Sequence, residues 1–396
     1  MGTITESTSA DSLGTVRVGF DARHLQTVAR VRGIGRYSRN LLGAFARRAP
    51  RDVEWSLVRL ANFPPADPGL LPPHTDINTR RLRRPELSML ALDPILLSVE
   101  LAGANLDVYH STQLSLPVRR SYRAVVTIHD LAPLIWPEDY LRLPYARLGH
   151  AWQYALAKRA DAIIAVSDAT RRDIVERLGV PEERVHMVSE AVDDAFAPPD
   201  HDEGRRVARE RFGVPSRYVL YVGQFDARKN VRGLLRAFAA AADRDKDLRL
   251  VVVGDLGKLS ARLHDALTTE RVPRERVIVT GFVDDAALAA LYAGAECLLH
   301  AALLEGFGLT ALESLAAGTP VVGYAGGAVA EVVGGAGLLV RAGDEDALAG
   351  ALTRFLDDPA LGASLIARTR ARAAAFSWDR AADETIAVYR RTLEIS

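Results

Sequence analysis

Cysteine is almost absent from this 396-residue chain. Cys297 is its single thiol, which excludes an intrachain disulfide framework and fits a reducing cytoplasm. Cys297 falls in an apolar strand pattern, so it reads as a buried structural thiol and not a nucleophile. Charge of one sign is absent too. The 50 Lys and Arg residues balance 50 Asp and Glu residues, neither half is conspicuously basic, and a nucleic-acid surface is excluded as the main function. No apolar run is long enough to span a bilayer. The nearest approach is 87–103, which is short and interrupted by Asp93, Pro94 and Glu100. The neighbouring Arg80, Arg81, Arg83 and Arg84 read as a solvated basic face, with a weak peripheral contact to anionic lipid as the second reading. The polar start, residues 1–14, lacks the charged and apolar regions of a signal peptide and is expected to be a disordered tail. A cytoplasmic protein, at most peripheral at the inner face of the membrane, is the expectation.

What is present is enough apolar sequence, 48% of residues, to bury the cores of two domains. Short β-branched runs alternate with helical patterns, the signature of parallel sheets with covering helices. The first set of runs is Val16–Phe20, Val53–Leu60, Val108–Ser111, Ala124–His129, Ala162–Ser167 and Val185–Ser189. The second is Tyr218–Gly223, Leu248–Gly254, Val277–Phe282, Cys297–Ala301, Pro320–Tyr324 and Gly337–Val340. Between them Phe196-Ala197-Pro198-Pro199-Asp200-His201-Asp202 breaks both periodicities and reads as a linker. Helices are expected to begin near Ile34, Asp168, Asn230, Gly308 and Asp344, with a last one from Asp379 to Leu393 capped by Ser377. The expected fold class is α/β, with two doubly wound Rossmann-like domains facing a central cleft. The expected divisions are a tail at 1–14, a first domain at 15–197, a second at 198–376, and a terminal helix at 377–396 packing back on the first domain. Such sheets bind ligands beyond the carboxyl ends of their strands.

The most informative stretch is Glu305-Gly306-Phe307-Gly308-Leu309-Thr310-Ala311-Leu312-Glu313. Gly306 and Gly308 allow the backbone to approach a ligand. The N–H groups of Gly308, Leu309 and Thr310 open a helix, where its positive end favours a phosphate. Glu305 precedes the helix and Glu313 lies inside it, so the two carboxylates can reach opposite ends of one molecule with hydroxyls at both ends and a diphosphate between. The bland alternative is a turn residue followed by an early helical acid. Arg228 and Lys229 stand before another helix entrance, a placement that costs about 0.3–1 kcal/mol per cation unless an anion is near. Lysine occurs elsewhere only at Lys158, Lys246 and Lys258. Either a diphosphate sits there or the pair is an exposed basic turn.

On these residues the chain resembles the GT-B glycosyltransferases, and within them the retaining glycosyltransferase family 4, from Val16 to about Val388. Glu305 to Glu313 is similar to that family's E-x7-E signature. Tyr221-Val222-Gly223-Gln224-Phe225-Asp226-Ala227-Arg228-Lys229-Asn230 resembles its strand-loop-helix for the donor diphosphate, although many relatives carry arginine where Gln224 stands. Ala165 to Thr170 and Glu190 to Phe196 resemble its interdomain segments. Asp21-Ala22-Arg23, Arg32-Gly33-Ile34-Gly35-Arg36-Tyr37 and Ile128-His129-Asp130-Leu131 look most like bacterial mannosyltransferases. The resemblance implies transfer of a sugar, mannose-like hexose favoured, from a nucleoside-diphosphate donor to a carbohydrate, lipid-linked or small-molecule acceptor hydroxyl, with retention at the anomeric carbon. It implies a donor set of Gly223, Gln224, Arg228, Lys229, Glu305, Gly306, Phe307, Gly308, Leu309, Thr310 and Glu313. In that set Glu305 holds the transferred sugar, Glu313 the ribose, and Arg228 and Lys229 the departing phosphates. It places His129 near the anomeric carbon.

Other candidates carry two readings each. His129 ends a strand at the cleft edge, with Asp130 able to orient it, or it is a structural histidine. His110 is a second strand-end histidine. Gly33, Gly35 and Arg36 form a loop that closes over diphosphate or acceptor, or glycines that serve only a turn. The spacing after the first strand, and Ser38 where a dinucleotide fingerprint needs its last glycine, make a nicotinamide site improbable. Asp243-Arg244-Asp245 and Asp344-Glu345-Asp346 have D-x-D spacing but fit surface and capping functions. With no His/Cys cluster for zinc, no metal and no cofactor beyond the donor itself are expected. Two rival functions are kept: a non-catalytic nucleotide-sugar-binding partner of another transferase, and a sugar-nucleotide epimerase.

Overall fold

A computed structural model describes residues 14–31, 33–63, 70–80, 92–193, 196–215, 217–224, 226–254 and 260–394. The expected tail up to residue 13, Arg32, Arg81, Arg83, Arg84, Asp194, Ala195, Phe225 and Lys258 lie outside the described residues.

Two parallel sheets form. The first orders its strands β3-β2-β1-β4-β5-β6-β7 and the second β10-β9-β8-β11-β12-β13. In the first are β1 (Val16–Asp21), β2 (Val53–Leu60), β3 (His74–Thr79), β4 (Val108–Ser111), β5 (Arg123–Ile128), β6 (Ala162–Ala165) and β7 (Val185–Met187). In the second are β8 (Tyr218–Val222), β9 (Arg249–Val253), β10 (Val277–Gly281), β11 (Leu298–His300), β12 (Val321–Tyr324) and β13 (Gly337–Val340). The central strands are buried on both faces, as in Leu250-Val251-Val252-Val253, because helices cover both sides of a parallel sheet and favour apolar side chains on each face. The two doubly wound domains expected from the sequence are therefore present. Strand β3 was not expected. It is an edge strand paired in parallel only with β2, and its sequence His-Thr-Asp-Ile-Asn-Thr carries little of the apolar pattern that marks an interior strand.

Strand order reverses at β1, between β2 and β4, and at β8, between β9 and β11. Those switch points open crevices at the carboxyl ends of the strands, where open α/β sheets take ligands. The segment read as a linker is shorter than expected: Asp200 caps a helix spanning His201–Phe212 through a bond from Glu203 N at 2.9 Å, so His201 and Asp202 are helical.

Four helices position the site or close the fold around it: α1 (Gly33–Arg48), α2 (Asp168–Asp173), α3 (Leu309–Ala316) and α4 (Trp378–Glu394). The last, α4, lies on the first domain. Tyr37 meets Trp378 edge-on with centroids 5.5 Å apart, and Arg47 pairs with Asp379 at 2.8 Å. No helix among the described residues is long and apolar enough to cross a membrane.

Candidate active site

The cleft is built around Glu305. It follows β11 and pairs in parallel with Gly327 as an isolated bridge, while Ala328 N donates to its carbonyl at 3.0 Å. This ties the loop to the turn after β12. Gly308 caps α3 with φ +98°, a left-handed conformation that costs an L side chain energy and glycine none. Beyond it the N–H groups of Leu309 and Thr310 have no acceptor within the helix and face outward from its positive end. Gly306 is needed for a different reason: a Cβ there would lie 1.8 Å from the carbonyl oxygen of His129. The two domains touch backbone to backbone at this point.

Three basic groups surround the Glu305 carboxylate. Lys229 Nζ contacts Oε1, Arg228 Nη1 lies 3.2 Å from Oε2, and His300 Nε2 lies 3.6 Å from Oε1. Burial alone would favour the neutral acid, but the charge of Lys229, the adjacent His300 imidazole and the charge of Arg228 outweigh it. The carboxyl is held well below its ordinary value of 4.5. The basic pair is therefore not uncompensated at its helix entrance. Arg228 is also 3.4 Å from both Asp130 Oδ2 and Asp226 Oδ2, so protein carboxylates offset the cost expected from the sequence. Asn230, in the left-handed region, caps the helix that comes next.

Glu313 lies eight residues on, 1% exposed. Tyr292 OH donates to Oε2 at 3.0 Å, and Arg36 Nη2 reaches Oε1 from the other domain at 2.7 Å, close but without hydrogen-bond alignment. Burial raises its pKa above 4.5, and Arg36 and Tyr292 only partly oppose the shift. Arg36, expected at the diphosphate or acceptor, is thus placed on the carboxylate assigned to ribose. Gly35 packs its α-carbon against the Val28–Val31 turn, where a Cβ would meet Ala29 O at 2.3 Å, while Gly33 is exposed at the start of α1.

His129 lies one residue past β5. Its Nδ1–H donates to Glu190 Oε1 at 3.0 Å, so the orienting carboxylate is Glu190 and not the adjacent Asp130. Asp130 instead accepts from Ala132 N at 2.9 Å and faces Arg228. Nε2 of His129 is buried with no hydrogen-bond partner; with the proton on Nδ1 it presents a lone pair, and protonated it presents a donor.

Two sequence candidates have side chains packed into the protein's own core, and a third is exposed. His110 is fully buried, bonded to Tyr389 OH at 2.6 Å and Thr127 Oγ1 at 2.8 Å, and burial pushes its pKa down to about 3, so it is a neutral core residue anchoring α4. The Phe307 ring packs edge-on against Phe376 with centroids 5.7 Å apart, which leaves only its backbone for a ligand. Gln224 is exposed, and its carbonyl accepts from Tyr221 OH at 2.9 Å. Gly223 follows β8, its N–H bonded to Val253 O at 3.0 Å, at the second-domain switch point.

Sequence reasoning missed His300, Glu190 as partner of His129, Tyr292, and the Gly326-Gly327 turn. The double glycine after β12 was the available signal for the last; His300 ends the strand just before Glu305 with nothing in its pattern to mark it, and Glu190 and Tyr292 are buried partners 61 and 21 residues from the groups they hold. Among the described residues no His, Cys, Asp and Glu side chains gather in threes as they would around a metal ion. Asp344 caps the helix Glu345–Asp357 through Ala347 N at 3.0 Å, and Asp245 accepts from Asp247 N at 2.9 Å in a turn.

Residues 31–196 match the family described as Glycosyltransferase Family 4, and residues 205–372 match Glycosyl transferases group 1. The chain is 32% identical over 285 residues to O-antigen chain mannosyltransferase B of Escherichia coli, covering 72% of this chain and 74% of that one. It is 28% identical over 278 residues to the serotype-specific mannosyltransferase WbdA of the same species, covering 69% of this chain and 34% of that longer one. The fold superposes on Anabaena HepE, solved in complex with UDP and glucose, with TM-score 0.72 at 18% identity, covering 95% of this chain and 100% of HepE.

Proposed function

The chain belongs to the glycosyltransferases of family 4 and group 1, and from that membership we propose that it moves a mannose-like hexose from a nucleoside diphosphate to an acceptor hydroxyl, with retention of anomeric configuration. The observation that carries the reading is the convergence of Lys229, Arg228 and Glu305 with the entrance of α3 at the carboxyl end of the second sheet, opposite His129.

In this reading the second domain holds the donor. The diphosphate lies between the basic pair and the N–H groups of Leu309 and Thr310, which stabilise the charge that develops on the departing nucleotide. Glu305, ionised because of its cationic neighbours, accepts hydrogen bonds from sugar hydroxyls. The unaligned Oε1 of Glu313 is left to accept from ribose. His129 lines the reaction centre through its unpartnered Nε2, in a ring orientation fixed by Glu190. The acceptor enters from the first domain, and no residue is assigned as general base. Phosphate charge is neutralised by side chains and helix amides, so no metal is assigned. The protein works in the cytoplasm, on the side where nucleotide donors are available.

Incubation with a panel of nucleoside-diphosphate sugars is expected to release nucleoside diphosphate, and Glu305→Ala and Lys229→Ala to abolish most of that release. Undiminished turnover in both variants removes these roles. Binding of donor without product marks a non-catalytic partner, and an epimerised donor sugar in the absence of acceptor marks an epimerase.

A further inference from the structure

The loop carrying Glu305 is gripped by the first domain at one atom, the Gly306 carbonyl oxygen. It accepts from Ser167 Oγ at 2.5 Å and from Thr170 Oγ1 at 3.0 Å. Both hydroxyls belong to the entrance of α2, where Ser167 is also the N-cap, accepting from Thr170 N at 3.0 Å. Thr170 Oγ1 further lies 3.2 Å from His129 O, so the same hydroxyl joins both sides of the cleft.

The entrance of α2 is itself held from the second domain. Glu331 Oε2 accepts from Asp168 N at 2.9 Å and Oε1 from Ala169 N at 2.7 Å, with Arg172 Nη2 a further 3.5 Å contact. These two N–H groups stand in the first turn of α2 and have no acceptor within it. A carboxylate satisfies both and is favoured there by the helix dipole. Glu331 is fixed in turn, because Arg372 donates to its carbonyl and to Val332 O at 2.9 Å. Its helix, Val329–Val333, directly follows the Gly326-Gly327 turn that is bridged to Glu305. The Gly306 carbonyl and the Glu331 carboxylate are therefore two prongs of one unit of the second domain, closing on a single helix entrance of the first.

We propose that Glu331 is a positioning residue of the transfer reaction: by seating the entrance of α2 it directs Ser167 and Thr170 onto the Gly306 carbonyl, and so fixes Glu305 against His129 when the domains meet. The inference rests on the glycosyltransferase reading above. Glu331 touches none of the groups assigned to donor or acceptor, and it acts only through α2 and Gly306. Loss of its carboxylate leaves the nucleotide half of the site intact and misplaces the sugar-holding half, a difference that binding and turnover report separately.

The test uses full-length wild type, Glu331→Ala, Glu331→Gln, Thr170→Val and the Glu331→Ala/Thr170→Val double variant. Each is measured for kcat of nucleoside-diphosphate release, for the Kd of UDP, GDP and ADP by calorimetry, and for Tm. We expect Glu331→Ala to lower kcat about 10–100-fold while the Kd of whichever nucleotide binds wild type is unchanged. Glu331→Gln, with one acceptor oxygen for two N–H groups, falls between. The double variant is no slower than the slower single, since both residues act on one carbonyl. Unchanged kcat in Glu331→Ala, additive losses in the double variant, or parallel losses of kcat, nucleotide affinity and Tm each overturn the proposal. A wild type that releases no nucleoside diphosphate from any donor overturns the functional reading instead, and the inference falls with it.

Discussion

Glu305 and Glu313 are the same residue type, eight positions apart and both buried, yet their environments drive them in opposite directions. Glu305 shares its oxygens with Lys229, Arg228 and His300 and is held ionised. Glu313 has one unaligned arginine and a tyrosine hydroxyl, and burial prevails. In a low-dielectric site the number and alignment of partners, more than burial itself, set the charge state. The first carboxylate is equipped to hold a sugar beside a diphosphate. The second is a less strongly stabilised anion shared between two domains.

The largest expected effect on this contrast is Glu305→Ala, which lowers kcat on the order of 10²–10³-fold in nucleoside-diphosphate release, because it removes the sugar's anchor and the carboxylate that Lys229 and Arg228 share. Lys229→Ala comes next at about 10²-fold in kcat, the scale of removing one donor to a developing anion. Glu313→Gln is smaller and of another kind: about a tenfold rise in donor KM with kcat little changed, as for one hydrogen bond to ribose bound equally in ground and transition states. If Glu313→Gln exceeds Glu305→Ala in its effect on kcat, the assignment of the two carboxylates is reversed.

The same contrast fixes a sign in stability against pH. A carboxyl lowered on folding contributes stability that is present above 4.5 and lost as pH falls toward its folded value. A carboxyl raised on folding contributes stability that is present below 4.5 and lost as pH rises through its folded value. The Tm of wild type minus that of Glu305→Gln therefore shrinks from pH 6 to pH 3, whereas wild type minus Glu313→Gln grows. Parallel slopes would show that the two carboxyls share one environment.

The fold was legible because interior parallel strands must be apolar on both faces, and runs such as Leu250–Val253 announce themselves. Strand β3 was not, because an edge strand with polar faces has no such signature. The glycine-rich turn and helix of the site were legible because backbone approach and a left-handed cap demand particular residues at fixed spacing. The partners were not. Glu190 reaches His129 from 61 residues away, and Arg36 reaches Glu313 across the cleft. Adjacency in sequence favoured Asp130 for the histidine, but its carboxylate turns back to Ala132 N and toward Arg228. His110 shows the converse: a strand end near a cleft is also where a terminal helix docks, and Tyr389 occupies its ring nitrogen.

The smallest expected effect lies at the D-x-D sequences, which serve a cap and a turn. Asp344→Asn and added EDTA both leave turnover within about twofold; a loss that Mg²⁺ or Mn²⁺ restores would introduce a metal into the mechanism.

A crystal structure of the protein grown with saturating GDP or UDP would show directly where a diphosphate binds. The diphosphate is expected between Lys229, Arg228 and the N–H groups of Leu309 and Thr310, with the ribose against Glu313. A nucleotide bound elsewhere, with the Lys229–Glu305 pair undisturbed, would contradict it.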